Sequence, residues 1–394
     1  MVYNMQNKHA ETRLTIICLS YERQPMMRRQ LLYYSNRPLH VIFADGSAKP
    51  WALGYQGSIG TLTWEYFNIT GYDSYVNRIA ESISRVKTEY VAFIDDEECL
   101  LWTGLRRAMD FLDIHSEHIC AGGMVCMAGA DNGKSFVSPW GRWSVPWSLT
   151  DPDPLNRFAE MSGAERTGNL YYQVFRRKDL EHYNSIIPTF LYRYLSGLEI
   201  LFTGFLTLSG YWEMGDYPFW IRNGGSVANP SNALNYISEE EMRDVSQRLS
   251  SLYDSNPSGV FRAFTQGSKE AVANAIYMII DAQWGKEAQM KKNNVSTVTS
   301  KWLPEFVLIM IRKLLPLVKK WTPPSIVTFL KHLITTLKRL KGARQDPKMM
   351  AFESYALRNS NGNFLVLQDM LLIKSIWETY PKGVLEDKDL FAAK

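Results

Sequence analysis

Four consecutive acids, Asp95-Asp96-Glu97-Glu98, follow directly on the apolar run Tyr90-Val91-Ala92-Phe93-Ile94. Carboxylates crowded at the end of a buried strand repel one another and lose hydration, and a divalent cation with oxygen ligands is the cheapest compensation. The run therefore predicts a metal site. Two other apolar segments end the same way: residues 14–19 run into Ser20-Tyr21-Glu22-Arg23, and His40-Val41-Ile42-Phe43-Ala44 runs into Asp45-Gly46-Ser47. A further acid, Glu199, stands alone in the strongly apolar stretch 192–208, where a carboxylate needs a reason.

The elements that must position these residues follow from apolar periodicity. Val76, Ile79, Ala80, Ile83 and Val86 fall at helical spacing after Asp73 and Ser74, either of which can cap, and the chain turns at Lys87-Thr88 into the acidic strand. Helices are also predicted over 24–34 and 102–114, and a third strand over 61–67. Alternation of this kind specifies an α/β layer architecture with an open, mostly parallel sheet, whose ligands bind at the carboxyl ends of the strands. All three polar loops lie at such ends.

Residues 119–175 are less regular. Gly122-Gly123 and Gly129 interrupt an apolar strand, a loop rich in Trp, Pro and Asp covers 138–156, and a short strand at 171–175 ends in Arg176-Arg177. Asp151 and Asp153 read as turn formers. From Ser238, paired with Glu241 in a capping box, the chain is expected to turn all-helical, with helices to about Tyr253 and over 269–284. The polar run 291–297 is the best linker. Four regions result: an α/β unit over 12–230 that carries the polar strand ends, a helical extension over 231–290, a basic segment over 291–348, and a helical tail over 349–394.

At 394 residues and 46% hydrophobic content, a sizeable core is within reach. The aromatic fraction of 13%, with 12 Trp, suits either a ring-binding cleft or a well-filled core. Cys18, Cys99, Cys120 and Cys126 have apolar neighbours and no metal-ligand spacing, which reads as reduced thiols of a cytoplasmic protein, and the polar start of the chain does not read as a secretory signal. The net charge of +4 hides an asymmetry: residues 286–348 carry 14 Lys and Arg against 3 acids, leaving the rest of the chain acidic by 7. Within that segment, 304–320 and 325–341 are basic and amphipathic but fall short of the roughly 20 apolar residues of a membrane span. They are expected to lie on an anionic membrane surface, with packing against the chain or a second subunit as the alternative.

Taken in order, these motifs resemble the GT-A glycosyltransferases, and within them the bacterial family-2-like enzymes of surface-polysaccharide synthesis. The resemblance rests on the Ser-Tyr-Glu-Arg and Ala-Asp-Gly-Ser strand ends and on Lys87-Thr88-Glu89-Tyr90-Val91 leading into Phe93-Ile94-Asp95-Asp96-Glu97. It extends through Tyr172-Gln173-Val174-Phe175-Arg176-Arg177, the segment from Leu198-Glu199 to Gly210, and Phe219-Trp220-Ile221-Arg222, spanning roughly residues 12–225. It implies a GT-A, Rossmann-like α/β fold followed by an all-helical C-terminal region. It implies that Ser20, Tyr21, Glu22, Arg23, Asp45, Arg78, Asp95 and Asp96 serve the nucleotide-sugar donor, most commonly UDP-linked. Asp95 and Glu97 occupy the two acidic positions of the Asp-x-Asp motif that holds Mn²⁺ or Mg²⁺, with a Glu at the second position and Asp96 or Glu98 as substitutes. Glu199 matches the general base of inverting members, and the alternative is a structural Glu paired with Arg193, Arg176 or Arg222. Trp140 and Trp143, with Trp147, are expected as an acceptor platform or as a packed cover, and Arg222 as a ligand for a phosphate or acidic acceptor.

The chemistry agrees with that implication. A departing diphosphate is stabilised by a hard cation on carboxylates, and a transfer with inversion needs one base for the acceptor hydroxyl. The expected acceptor is a glycan or lipid-linked molecule at the inner face of a cell membrane, and oligomerisation stays open. A nucleotidyl- or phosphotransferase would use the same acids, but no Gly-rich phosphate loop with Lys is present. A glycosidase would place two carboxylates across a cleft rather than at one strand tip. Nucleic-acid binding is disfavoured because the aromatics of the basic segment fall on its apolar face. A degenerate transferase that only binds is the remaining alternative.

Overall fold

The computed structural model describes residues 12–51, 54–131, 134–139, 144–163, 171–192, 195–223, 237–252, 269–285, 350–351 and 364–379. Its centre is a parallel unit built from β1 (Leu14–Ser20), β2 (His40–Asp45), β4 (Leu62–Asn68) and β5 (Tyr90–Asp95), in spatial order β4-β2-β1-β5. Every residue of β1 is buried, which is why it reads as an unbroken apolar run rather than an alternating one. The crossovers are α1 (Gln24–Tyr34), which carries Pro25 in its first turn, and α2 (Tyr75–Arg85). The register pairs Ser20 with Asp45 and Leu19 with Asp95, so the three polar loops leave the sheet side by side.

Around this unit the sheet grows to twelve strands. β3 (Gln56–Ile59) forms an antiparallel edge on β4, and β6 (Cys99–Leu100) follows the acidic turn. After α3 (Trp102–Ile114) comes β7 (His118–Asp131), then β8 (Lys134–Pro139), β9 (Trp147–Leu149) and α4 (Pro154–Gly163). β10 (Val174–Arg176) lies antiparallel between β5 and β7, and is shorter than the expected strand because Tyr171 and Tyr172 form a helical turn instead. α5 (Arg177–Asn184) and α6 (Leu195–Ser209) lead into β11 (Tyr211–Asn223), which runs parallel to β7 with shifts of register at Gly215 and Pro218.

The expected capping box is present: Ser238 Oγ accepts the Glu241 N–H at 3.2 Å, and Glu241 Oε2 accepts the Ser238 N–H at 3.0 Å, opening α7 (Glu239–Ser250). α7 and α8 (Lys269–Trp284) pack behind α4 and α6. The C-terminal part is not all-helical: β12 (Met350–Ala351) pairs with β8, extending the sheet, before α9 (Phe364–Thr379) docks on α1 and α3. Asp369 of α9 pairs with Arg37 at 2.5 Å and accepts the Thr103 N–H at 2.8 Å, closing one of the open donors at the start of α3. All four cysteines are buried and unbridged. No helix among the described residues is long and apolar enough to cross a membrane. The linker 291–297 and the two basic stretches lie outside the described residues.

Candidate active site

The loops after β1, β2 and β4 are sewn together by main-chain bonds. The Gly46 N–H donates to the Ser20 carbonyl and the Gly71 N–H to the Gly46 carbonyl, each at 2.9 Å. Side chains add a second layer: the Glu22 N–H donates to Ser47 Oγ at 2.8 Å and the Ala48 N–H to Glu22 Oε1 at 2.7 Å. Glu22 is held at φ 57°, a conformation that costs a non-glycine residue energy and that clusters at ligand-binding loops.

Asp45 anchors the second loop. Its carboxylate is fully enclosed and accepts from Ser47 N (3.0 Å), Ser47 Oγ (2.5 Å), Gln24 Nε2 (2.9 Å) and Tyr66 Oη (2.9 Å). Its lone pairs are therefore spent on the protein, and in this state it shapes the loop rather than facing the cleft. Beside it, the buried Arg78 guanidinium donates to the Gly71 carbonyl at 2.8 Å and to Ser74 Oγ at 3.0 Å, with no carboxylate among these acceptors and with Nε unpartnered. A Cβ on Gly46 would lie 1.7 Å from Arg78 Nη1, so only glycine lets this cation pack over the loop. Tyr21 and Tyr72, both about 40% exposed, meet edge to face at 5.7 Å in front of it. Ser74 caps no helix by its side chain, which donates instead to the carbonyls of Ile69 and Gly71.

The acidic turn divides its carboxylates by side. Asp96 and Glu98 are enclosed, whereas Asp95 and Glu97 remain partly open. Ser20 Oγ donates to Asp96 at 2.7 Å, and Arg23 reaches Glu97 at 2.7 Å and Asp96 at 3.7 Å. Arg222 approaches Glu98 at 3.5 Å, and Tyr172 Oη donates to Asp95 at 2.6 Å. Gln30 of α1 supports the turn from below through the carbonyls of Asp96 and Glu98. Burial pushes Asp96 up to about 7 against the opposing pull of Arg23, and burial raises Asp95 as well, with the Glu97 charge adding to the rise. Ser20 and Arg23 thus tie the first loop to the acids. The acids open to the cleft are the pair expected to hold a cation, and the enclosure of Asp96 and Glu98 makes them poor substitutes.

Glu199 reaches the same place. It lies in the second turn of α6 and is partly open, and its carboxyl is pushed up to about 7 by burial, with Arg222 lowering it and Asp95 raising it. Glu199 thus feels the charges of both Asp95 and Arg222. The geometry has a structural cause. Phe202, three residues on from Glu199 and on the same helix face, meets Phe93 at 6.0 Å, and Phe93 shares a strand face with Asp95. Tyr171 stacks on Phe202 at 4.1 Å and Phe175 meets it at 5.4 Å, so an aromatic block fixes α6 against β5. Of the proposed structural partners of Glu199, Arg176 is engaged with the carbonyls of Leu112, His115 and His118, Arg222 approaches Glu98, and Arg193 lies outside the described residues.

The acceptor platform is only partly in view. Trp140 and Trp143 lie outside the described residues, and Trp147 packs edge-on against Trp212 at 5.0 Å as a cover. Asp151 and Asp153 form turns through the N–H groups of Asp153 and Leu155. Sequence reasoning assigned no role to Gln30, Tyr66, Tyr72 or Tyr172; only Tyr172 carried a signal, as the residue that opens the motif before Arg176-Arg177.

No protein-family description matches the chain, and no curated protein matches it. Solved structures do. Residues 1–349 of TarS from S. aureus in complex with UDP-GlcNAc align at 14% identity over 94% of this chain and 92% of that one, with a TM-score of 0.45. The same TarS segment in complex with UDP gives 13% identity over the same shares and a TM-score of 0.42. Against a longer TarS structure the identity is 12%, with 70% of this chain and 44% of that chain covered and a TM-score of 0.42, so the chain spans less than half of that protein. At these values the likeness assigns no family, and the site is read from its own geometry.

Proposed function

We propose that the chain is a glycosyltransferase that moves a sugar from a nucleotide-sugar donor, UDP-linked, to a glycan or lipid-linked acceptor with inversion at the anomeric carbon. The observation that carries the reading is the convergence of four elements. Three stitched loops, an enclosed arginine, a half-open carboxylate pair and a base-like Glu199 meet at the carboxyl end of one parallel sheet. Arg78 with Tyr21 and Tyr72 offers a cation and two aromatic rings to a nucleotide, while Asp45 and Glu22 hold the loop that carries it. Mn²⁺ or Mg²⁺ would be held by Asp95 and Glu97, supplying positive charge to the departing diphosphate. Glu199, with a carboxyl near 7, takes the proton of the acceptor hydroxyl as that oxygen attacks. Arg222, 38% exposed beside Glu98, orients an anionic acceptor or phosphate. The basic segment 286–348 would dock the enzyme on the inner face of a cell membrane, where lipid-linked acceptors reside.

One observation favours a second reading, donor binding without turnover: Arg23 and Arg222 already offset part of the acidic turn, which lowers its demand for a cation. A thermal-shift screen of nucleoside diphosphates and diphospho-sugars, each with Mn²⁺ and with chelator, separates the cases. A metal-dependent shift for one nucleotide, followed by release of its diphosphate on turnover, supports the transferase. A shift without turnover over a panel of glycan and lipid-linked acceptors supports the binder, and no shift with any nucleotide rejects both.

A further inference from the structure

At the opposite end of the sheet from the acidic turn, α3 hands over to β7 through a tight turn, with the His118 N–H donating to the His115 carbonyl at 3.2 Å. The turn gathers His115, Glu117 and His118 so that one ligand atom from each lies within 4.8 Å of the others. Glu117 Oε1 stands 3.5 Å from His115 Nδ1 and 3.2 Å from His118 Nδ1. A tetrahedral ion with bonds of about 2.0–2.2 Å separates its ligand atoms by about 3.3–3.6 Å, so both measured separations are near those of a shared metal.

His118 supplies an independent observation. It is only 7% exposed, yet its Nδ1 has no hydrogen-bond partner, being close to Glu117 but off the line a hydrogen bond requires. A buried ring nitrogen without a partner is costly and asks for an explanation. The surroundings also fix the rings. Phe111 stacks on His115 at 4.2 Å and meets His118 edge-on at 4.9 Å, and Arg176 holds the turn through the carbonyls of Leu112, His115 and His118. Arg176 opposes a cation by its charge, but its hydrogen bonds order the turn as outer-shell partners order metal sites.

We propose that His115, Glu117 and His118 bind a zinc-type divalent ion. Two imidazoles and one carboxylate select a transition metal over Mg²⁺ or Ca²⁺, which prefer all-oxygen shells. The site is separate from the nucleotide cleft, since β5 alone places Tyr90, level with this end, roughly 16 Å from Asp95. It does not depend on the transferase reading, and its role would be to pin the end of α3 to the start of β7.

The test is calorimetric titration of the full chain with ZnCl₂ in a large excess of Mg²⁺, which occupies oxygen-only sites. The expected result is one saturable equivalent of Zn²⁺, weakened at least about 100-fold by His115→Ala and by Glu117→Ala, and unchanged by Asp95→Asn. Both substituted side chains are solvent-accessible, so the variants keep the fold, checked by circular dichroism. Co²⁺ added in place of Zn²⁺ should give visible absorption bands that His115→Ala removes. Absence of saturable Zn²⁺ binding in the wild type, or binding of equal affinity in the His115→Ala, Glu117→Ala double variant, would overturn the assignment.

Discussion

The two ends of the parallel strands treat charge in opposite ways. At their start, Arg13 donates to Glu89 at 2.7 and 3.0 Å and to Asp113 at 2.6 and 3.0 Å, while Tyr90 Oη donates to Asp113 at 2.7 Å. One cation serves two acids. At the other end, four acids share Arg23 and Arg222, three of them have carboxyls raised by burial and mutual charge, Glu22 is strained, and Tyr21 and Tyr72 are left open. The first end is built for stability. The second holds its groups away from their resting state, as the proposed active site requires.

Breaking that contrast should have its largest effect at Glu199. Glu199→Gln is expected to lower turnover by about 10²–10⁴-fold while leaving donor affinity unchanged, as steady-state kinetics with donor titrations would show. Its pH behaviour has a definite sign. With carboxyls pushed up to about 7, native Glu199 and Asp96 keep protons that the unfolded chain releases near 4.5 and 3.8. Stability therefore falls as pH rises through the window up to about 7 and levels off above it, whereas turnover rises over the same window as the base ionises. Melting temperatures measured against pH should show the fall, and Glu199→Gln and Asp96→Asn should each flatten it.

Asp95→Ala should weaken metal-dependent donor binding by more than about 100-fold, read by calorimetry with and without chelator. A smaller effect is expected from Gly46→Ala. The added methyl must displace Arg78, at a cost of roughly 1–3 kcal/mol, and donor affinity should fall about tenfold while the acidic turn is untouched. At the stable end, Arg13→Ala should remove about 1–2 kcal/mol from the unfolding free energy, measured by denaturant titration, with turnover unchanged. Loss of activity in Arg13→Ala would erase the distinction between the two ends.

How much of this was legible in the sequence depends on what holds each element. β1, β2 and β5 are enclosed on both faces and read as continuous apolar runs, and α3 and α8 match their predicted limits because local periodicity and flanking residues fix them. β3 escaped because Gln56-Gly57-Ser58-Ile59 is a largely exposed edge strand with little apolar content. β11 escaped because Gly215 and Pro218 break its pattern at the shifts of register, and β12 is two residues long, with its pairing set by β8. The candidate site was legible as a list of loops, since strand ends in an open sheet must converge. Its internal balance was not. Arg23 with Glu97, Arg222 with Glu98, Tyr172 with Asp95 and the enclosure of Asp45 depend on folding distant segments together, and no local pattern encodes them.

The most direct test of the central claim is calorimetric titration of the wild-type chain and of Asp95→Ala with UDP in the presence of Mn²⁺. Saturable binding to the wild type that disappears in Asp95→Ala and with chelator is the predicted result. Equal binding to both proteins, or none to the wild type, would contradict the assignment of the strand-end carboxylates to a nucleotide-diphosphate site.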